Sequence, residues 1–403
     1  MARPLAALCN WCTSRWVIRG PPGASIRYLL GAMNEIFDRV LGAARKLGAS
    51  DVHLKVGLPP VFRIRGSLRT LKDVPPMTSD VIMTFAMNIM SEKTHDKFMD
   101  EHEVDLAYAT PDNLRYRVNV FRQRGECGMV LRVIAADIPP FERLNLPARV
   151  KELAREHRGM VLVTGITGSG KSTTLASLLN VINIERAAHI VTIEDPIEYV
   201  FHDRRSVVNQ REIGFDTNSF QSALRAALRQ DPDVVLVGEM RDLETIETAM
   251  LAAETGHLVF STLHTLDATE TIGRIVQIFP PHQQNAVRLQ LATILSAVVS
   301  QRLLPRADGR GMIPAVEVMI NTPRIRDMII DETRTVEVVD AIRDGAHPYG
   351  MISFDQSLTE LVQRKLVTYE MALAASTNPD DFALYFRGVT AAGGDSGMEI
   401  EYG

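Results

Sequence analysis

The chain has 403 residues, 46% of them hydrophobic and 23% charged, with a formal net charge of −5. That is the balance of a globular protein with room for two or three domains, and the acidic excess gives no overall electrostatic case for nucleic acid or anionic lipid. No stretch approaches the ~20 apolar residues of an integral membrane segment, and three cysteines provide no disulfide framework, so a reducing cytoplasm fits.

Residues 1–32 carry Arg3, Arg15, Arg19 and Arg27 and no acidic residue, and Pro21-Pro22-Gly23 breaks any helix. They lack the continuous apolar core of a secretory signal. They read as a disordered N-terminal extension from an upstream start codon, with Met33 as the true start; the alternative is a basic targeting arm. Cys9-x-x-Cys12 has no second Cys or His pair nearby to complete a zinc site, and reads as two incidental thiols. From Asn34 to Leu47 the residues Ile36, Phe37, Val40, Leu41, Ala44 and Leu47 share one helical face, ended by Gly48. Strand-like runs follow at Asp51–Val56, Val61–Ile64, Val104–Tyr108, Leu114–Phe121 and Gly128–Ile134, with helical stretches near Ser79–Met90 and Glu92–Met99. This mixture implies a small α+β domain over residues 33–137. Ile138-Pro139-Pro140 opens a linker region, 138–157. From Arg158 strands and helices alternate, with strands at Met160–Thr164, His189–Ile193, Val234–Val237, Leu258–Thr262 and Ile313–Met319. Alternation implies an α/β core over 158–320 with a mainly parallel sheet. Helices follow over 321–390, then a flexible acidic tail, 391–403.

The run Gly165-Ile166-Thr167-Gly168-Ser169-Gly170-Lys171-Ser172-Thr173 fits G-x-x-x-x-G-K-[ST] between an apolar strand and a helix-spaced segment, the context that this phosphate-binding motif requires. Its glycines let backbone N–H groups surround phosphate at a helix N-terminus. Lys171 is expected on the β/γ-phosphates of ATP and Ser172 on Mg²⁺. The strand Val234–Val237 ends in Gly238-Glu239, which offers a second ligand near Mg²⁺. Ligands bind at the carboxyl ends of parallel strands, so Glu194, Glu239 and His264, each after a strand, are expected to converge on this loop.

Several ordered motifs resemble the secretion ATPases of type II secretion and type IV pili, most closely the pilus-retraction branch, over residues 34–388. Gly48-Ala-Ser-Asp51-Val-His53-Leu54 with Pro59-Pro60 is similar to the opening of the family's PAS-like domain. Thr192-Ile-Glu194-Asp195-Pro196-Ile-Glu198-Tyr199 resembles its Asp box, followed by Val208-Asn-Gln210-Arg211-Glu212, and Glu239 matches its Walker B glutamate. Thr255-Gly256-His257-Leu258 through Thr262-Leu-His264-Thr265 resembles its His box. The resemblance implies a PAS-like α+β domain followed by a RecA-like P-loop ATPase with a helical C-terminal part. It implies that Glu198 polarises the attacking water, that Glu194 and Asp195 hold the water or metal network, and that His264 senses the γ-phosphate, with His257 a weaker candidate. Taken alone, Glu198 reads equally as a helix cap or solvated charge. Arg117 and Arg132 match N-terminal arginines that reach nucleotide in related ATPases; as residues on strands they read equally as a solvated face. Arg115, Arg241 and Arg274 are further candidates.

The resemblance also implies a homo-hexameric ring at the cytoplasmic face of a bacterial inner membrane. Its partners would be the pilus platform protein and paralogous pilus ATPases. One stretch departs from the retraction branch: in Pro323-Arg-Ile-Arg326-Asp-Met-Ile-Ile330-Asp-Glu332 the family's Ala and Asn are replaced, while Ile325, Arg326 and Ile329 stand. This leaves open a main or an accessory retraction motor. A nucleic-acid translocase would share the P-loop but need a basic pore loop, and a non-hydrolysing scaffold would not need Lys171, Ser172, Glu198 and Glu239 intact.

Overall fold

The computed structural model describes residues 26–64, 66–70, 74–110, 114–134 and 138–392. The chain divides into two units, Met1–Ala136 and Asp137–Gly403. The first helix spans Ile26–Leu47. It starts eight positions ahead of Asn34, so residues 26–32, expected to be irregular, are helical. The remainder of that expected extension, with Cys9 and Cys12, lies outside the described residues.

Six antiparallel strands build the first unit: β1 (Asp51–Leu54), β2 (Val61–Ile64), β3 (Ser67–Thr70), β4 (Glu103–Ala109), β5 (Arg115–Gln123) and β6 (Glu126–Val133), in the order β3-β2-β1-β6-β5-β4. One sheet face is apolar. Val52, Phe62, Leu106, Val118 and Leu131 are buried there with Phe37 and Leu41 of the first helix. Phe85 of the helix Ser79–Ile89 and Phe98 of the helix Glu92–Glu101 complete that core. Side chains alternate along a strand, so Arg117, between buried Tyr116 and Val118, stands on the exposed face. All four residues of β3 are exposed; without apolar alternation, sequence reading passes over it.

The second unit holds a seven-stranded sheet: β7 (Gly159–Thr164), β8 (His189–Glu194), β9 (Val207–Glu212), β10 (Val234–Val237), β11 (Leu258–Leu263), β12 (Leu295–Pro305) and β13 (Met312–Ile320). Their order is β13-β12-β7-β11-β10-β8-β9, all parallel except β13 against β12. Two cores cover the two faces. One joins Leu175, Leu178 and Ile182 of the helix Lys171–Glu185 to Val161 and Phe260. The other joins Ala223, Ile246, Ile272 and Leu291 of four helices to Leu162 and Val235. Burial on both faces explains why β7, β10 and β11 are apolar without alternation. Two strands are absent from the sequence reading. β9 is a polar edge strand, and β12 follows the helix Pro281–Ile294 with no glycine or proline between them.

Helices after Ile320 belong to the same unit. Phe354, Leu358, Phe382 and Phe386 share a core with Leu304, Ile313 and Ala315 of β12 and β13. The last helix ends at Ala392, and residues 393–403 lie outside the described residues. Among the described residues no helix is long and apolar enough to cross a membrane.

One carboxyl sits deep in this unit. Glu317 on β13 is 4% exposed and accepts a hydrogen bond from the Ala268 N–H at 2.8 Å. Burial pushes its pKa up to about 7, against that hydrogen bond. A raised folded-state pKa makes folding less favourable as pH climbs from the unfolded value, near 4.5, to the folded one; below that window the penalty vanishes and above it the penalty is constant. Glu317→Gln should therefore be more stable than the parent at about pH 8, by about 1–3 kcal/mol, with the gap closing toward about pH 5. Denaturant titrations at the two pH values would measure it, and a gap that widens on acidification would contradict the assignment.

Candidate active site

Parallel pairing sends β7, β8, β10 and β11 out at one edge of the sheet. The P-loop leaves β7 there. Gly165 has φ of 136°, and a Cβ at this position would strike the Gln301 carbonyl and lie 2.6 Å from the Ser169 hydroxyl. Only glycine fits that turn. Gly170 is the N-cap of the helix Lys171–Glu185, and no side chain caps it, so the first-turn N–H groups stay available to a ligand. The buried Ser169 hydroxyl has no hydrogen-bond partner. Lys171 is 8% exposed, and its ammonium donates to the carbonyls of Gly165 at 2.6 Å and Ile166 at 3.0 Å. Burial pushes its pKa below the ordinary lysine value, and the charges of Glu239 and Glu198 oppose that shift. Both carboxylates thus act on the P-loop lysine. Ser172 is half-buried and Ile166 and Thr167 are exposed.

Glu239 follows β10 by way of Gly238. A Cβ on Gly238 would meet the Ile193 carbonyl at 3.1 Å, so the small residue lets the ends of β10 and β8 approach. The Glu239 Oε1 pairs with Arg241 Nε at 2.8 Å and with His264 Nε2 at 3.1 Å. Desolvation raises its pKa, but the hydrogen bond from Arg241 and the charges of His264 and Arg241 prevail and hold it below the ordinary carboxylate range. Asp195 is exposed, and its charge reaches Arg241.

Glu194 is placed differently from its neighbours. Its Oε1 accepts from Thr192 Oγ1 at 2.7 Å and Gln210 Nε2 at 3.1 Å. Desolvation pushes it up to about 7. Glu194 therefore reaches the loop that carries Glu198 through Gln210, which also donates to the Tyr199 carbonyl; the Glu198 side chain is itself exposed. Tyr199 hydrogen-bonds Thr173 of the P-loop helix, Oη to Oγ1, at 2.9 Å. Tyr199 and Gln210 stand in the quoted motifs without a role, and the polar strand β9 gives no apolar alternation by which sequence could assign one.

The remaining candidates divide. Arg117 and Arg132 are direct cross-strand partners on β5 and β6, both exposed, and Arg132 Nε pairs with Asp51 at 2.9 Å. Asp51 lies opposite Arg63 as well, so four charged residues run across the exposed sheet face. Arg115 shares that face two residues away on β5. Arg274 stands exposed in the last turn of the helix Ala268–Gln277, in no hydrogen bond or ion pair with Glu194, Glu198, Glu239 or His264. His257 precedes β11 at the opposite edge from the P-loop, and its Nδ1 lies 2.9 Å from the Ala252 carbonyl; it closes a helix end rather than joining the site.

An uncapped helix N-terminus, an orphaned serine hydroxyl and a buried lysine fit a nucleotide phosphate. The Ser172 hydroxyl and the Glu239 carboxylate are oxygen donors of the kind Mg²⁺ takes and would hold it there, since this ion needs few protein ligands when phosphates supply the others.

A family model described as type II/IV secretion system protein matches residues 30–364. The type IV pilus retraction ATPase PilT of Pseudomonas aeruginosa is 43% identical over 343 residues, covering 85% of this chain and 98% of that protein. The twitching motility protein of Neisseria gonorrhoeae is 42% identical over 324 residues, or 80% of this chain and 86% of its own length. The crystal structure of the pilus retraction motor PilT with bound ADP matches with a TM-score of 0.80 at 48% identity, over 85% of this chain and 97% of that one. Its fold, an N-terminal domain followed by a RecA-like ATPase domain, is the fold described above. With a match that spans both units, the chain belongs to the type II/IV secretion system protein family.

Proposed function

We propose that this chain is a Mg²⁺-dependent ATPase that drives type IV pilus retraction, pulling pilin subunits from the pilus base and so powering twitching motility. The observation that carries the catalytic part is the glycine loop itself, with its glycine-only turn at Gly165, its uncapped helix N-terminus and the buried Lys171 ammonium held on the loop carbonyls. The likeness to PilT supplies the direction of work. In this reading Lys171 exchanges its two loop carbonyls for β/γ-phosphate oxygens. Glu198 orients and deprotonates the attacking water. His264, held by Glu239, meets the γ-phosphate. Bound Mg²⁺ would neutralise charge on the β- and γ-phosphates.

Arg117 and Arg132 act in the same reading across a subunit boundary of a homo-hexamer. Like charges opposite each other on a sheet disfavour one another, and Asp51 offsets only part of this row, so the face gains from an anion laid upon it. ATP moves the ring only if it favours one arrangement over another, and contacts to the γ-phosphate from these arginines supply that preference. The motor works at the cytoplasmic face of the inner membrane, on the platform protein and beside paralogous pilus ATPases. An accessory role in retraction is the second reading. In the helix Pro323–Ile330 the retained Ile325 and Ile329 are buried, whereas Asp327, where the family has Asn, is exposed. The departure thus changes an output surface and leaves the core intact.

Glu198→Gln should keep nucleotide affinity and lower kcat by roughly a hundredfold or more, whereas Lys171→Ala should weaken both. Steady-state kinetics beside ADP titration would separate them, and full turnover by Glu198→Gln would remove it from its role. Arg117→Ala should lower turnover strongly, by roughly a thousandfold or more, with ADP affinity nearly intact. Mixed with Lys171→Ala subunits, it should regain activity, because some sites in mixed rings are then fully parental; no recovery in well-mixed rings counts against a shared site. A null strain should carry excess pili and lack twitching motility if this is the main motor, and keep residual motility if it is an accessory one.

A further inference from the structure

We propose that Gln210, on the edge strand β9, is the positioning residue that sets Glu198 against the P-loop. The proposal rests on the reading of Glu198 as the water-orienting carboxylate. Residues 195–201, which carry Glu198, form neither helix nor strand. Their backbone hydrogen bonds therefore need partners elsewhere, and β9 supplies them. Gln210 Nε2 donates to the Tyr199 carbonyl at 2.9 Å, and Gln210 Oε1 accepts from the Phe201 N–H at 2.8 Å. The same Nε2 donates to Glu194 at 3.1 Å. Glu212, two residues along and so on the same side of the strand, accepts from the Ile197 N–H at 3.3 Å. Backbone groups at 197, 199 and 201, on both sides of Glu198, are thus held from one side. From the other side Tyr199 is tied to Thr173 of the P-loop helix.

The chemistry of the pattern selects an amide. One group must donate to a carbonyl and a carboxyl while accepting from an N–H; glutamine does both, glutamate when ionised only accepts, and methionine of similar size does neither. Gln210 touches no P-loop residue among its hydrogen bonds, so nucleotide binding does not depend on it directly. What depends on it is where the Glu198 carboxylate stands, and a displacement of about 1 Å at a reacting group costs up to about a hundredfold in rate.

The test uses the full chain with Gln210→Glu, Gln210→Met and Gln210→Ala beside Glu198→Gln. Each Gln210 variant should lose about ten- to a hundredfold in kcat while KM for ATP and the Kd for ADP stay within about threefold. A structural role alone would instead lower melting temperature and ADP affinity together. Parental turnover in Gln210→Glu or Gln210→Met would show that filled space suffices and would overturn the proposal. Amide hydrogen exchange gives a second readout. The Phe201 N–H, which donates to Gln210, should exchange faster in Gln210→Ala while the P-loop is unchanged; unaltered exchange overturns the proposal whatever the activity. The two readings separate cleanly. Parental turnover by Glu198→Gln sinks the role of Glu198 and with it the positioning argument, whereas an inactive Glu198→Gln with active Gln210 variants sinks Gln210 alone.

Discussion

β7, β8, β10 and β11 run parallel, and parallel neighbours are joined only by crossovers long enough to hold a helix. That requirement returns the chain to the same edge each time and releases the P-loop, the Glu194–Glu198 loop, Gly238-Glu239 and His264 side by side. None of these segments is close in sequence: His264 follows Lys171 by more than ninety residues, yet it meets Glu239, which acts on Lys171. The helices that cover both faces keep the central strands largely apolar, so the charged groups of the site gather at the strand ends. Chemistry is confined to an edge because the sheet leaves it nowhere else.

The first unit solves a different problem. Among the described residues of this unit, helices pack on one face of the antiparallel sheet, and the other face carries the charge. Register then decides which charges meet. Asp51 stands between Arg63 and Arg132, and Arg132 stands opposite Arg117. The apolar alternation of β1, β5 and β6 fixes that register, because a slip of one residue would bury the arginines. Packing on one side of this sheet thereby arranges electrostatics on the other.

Much of this was open to sequence reading, for physical reasons that differ along the chain. The P-loop is a local motif, and its glycines, lysine and flanking strand appear in a single window. Strands β7, β8, β10 and β11 are short apolar runs between helical segments, which is how a parallel sheet reads. β3 and β9 escape because edge strands need no apolar face, and β12 because no breaker separates it from the helix before it. The roles within the site were less legible. Glu194 looks like a ligand when read beside Asp195 and Glu198, yet its carboxyl turns to Thr192 and Gln210. Gln210 could not be assigned at all, since its partners are set by the pairing of β8 with β9. His257 and His264 lie in one motif, and only strand direction separates the residue at the closed edge from the one at the site.

The hydrogen bonds from Lys171 to Gly165 and Ile166 make the loop its own first ligand. An arriving phosphate competes with two carbonyls for the same ammonium, and a departing one leaves the lysine with partners already waiting. Occupancy is therefore an exchange rather than a filling, and part of the intrinsic affinity is offset by contacts given up. A cycling machine gains from that arrangement. In the proposed cycle the lysine would return to these carbonyls between one turn and the next.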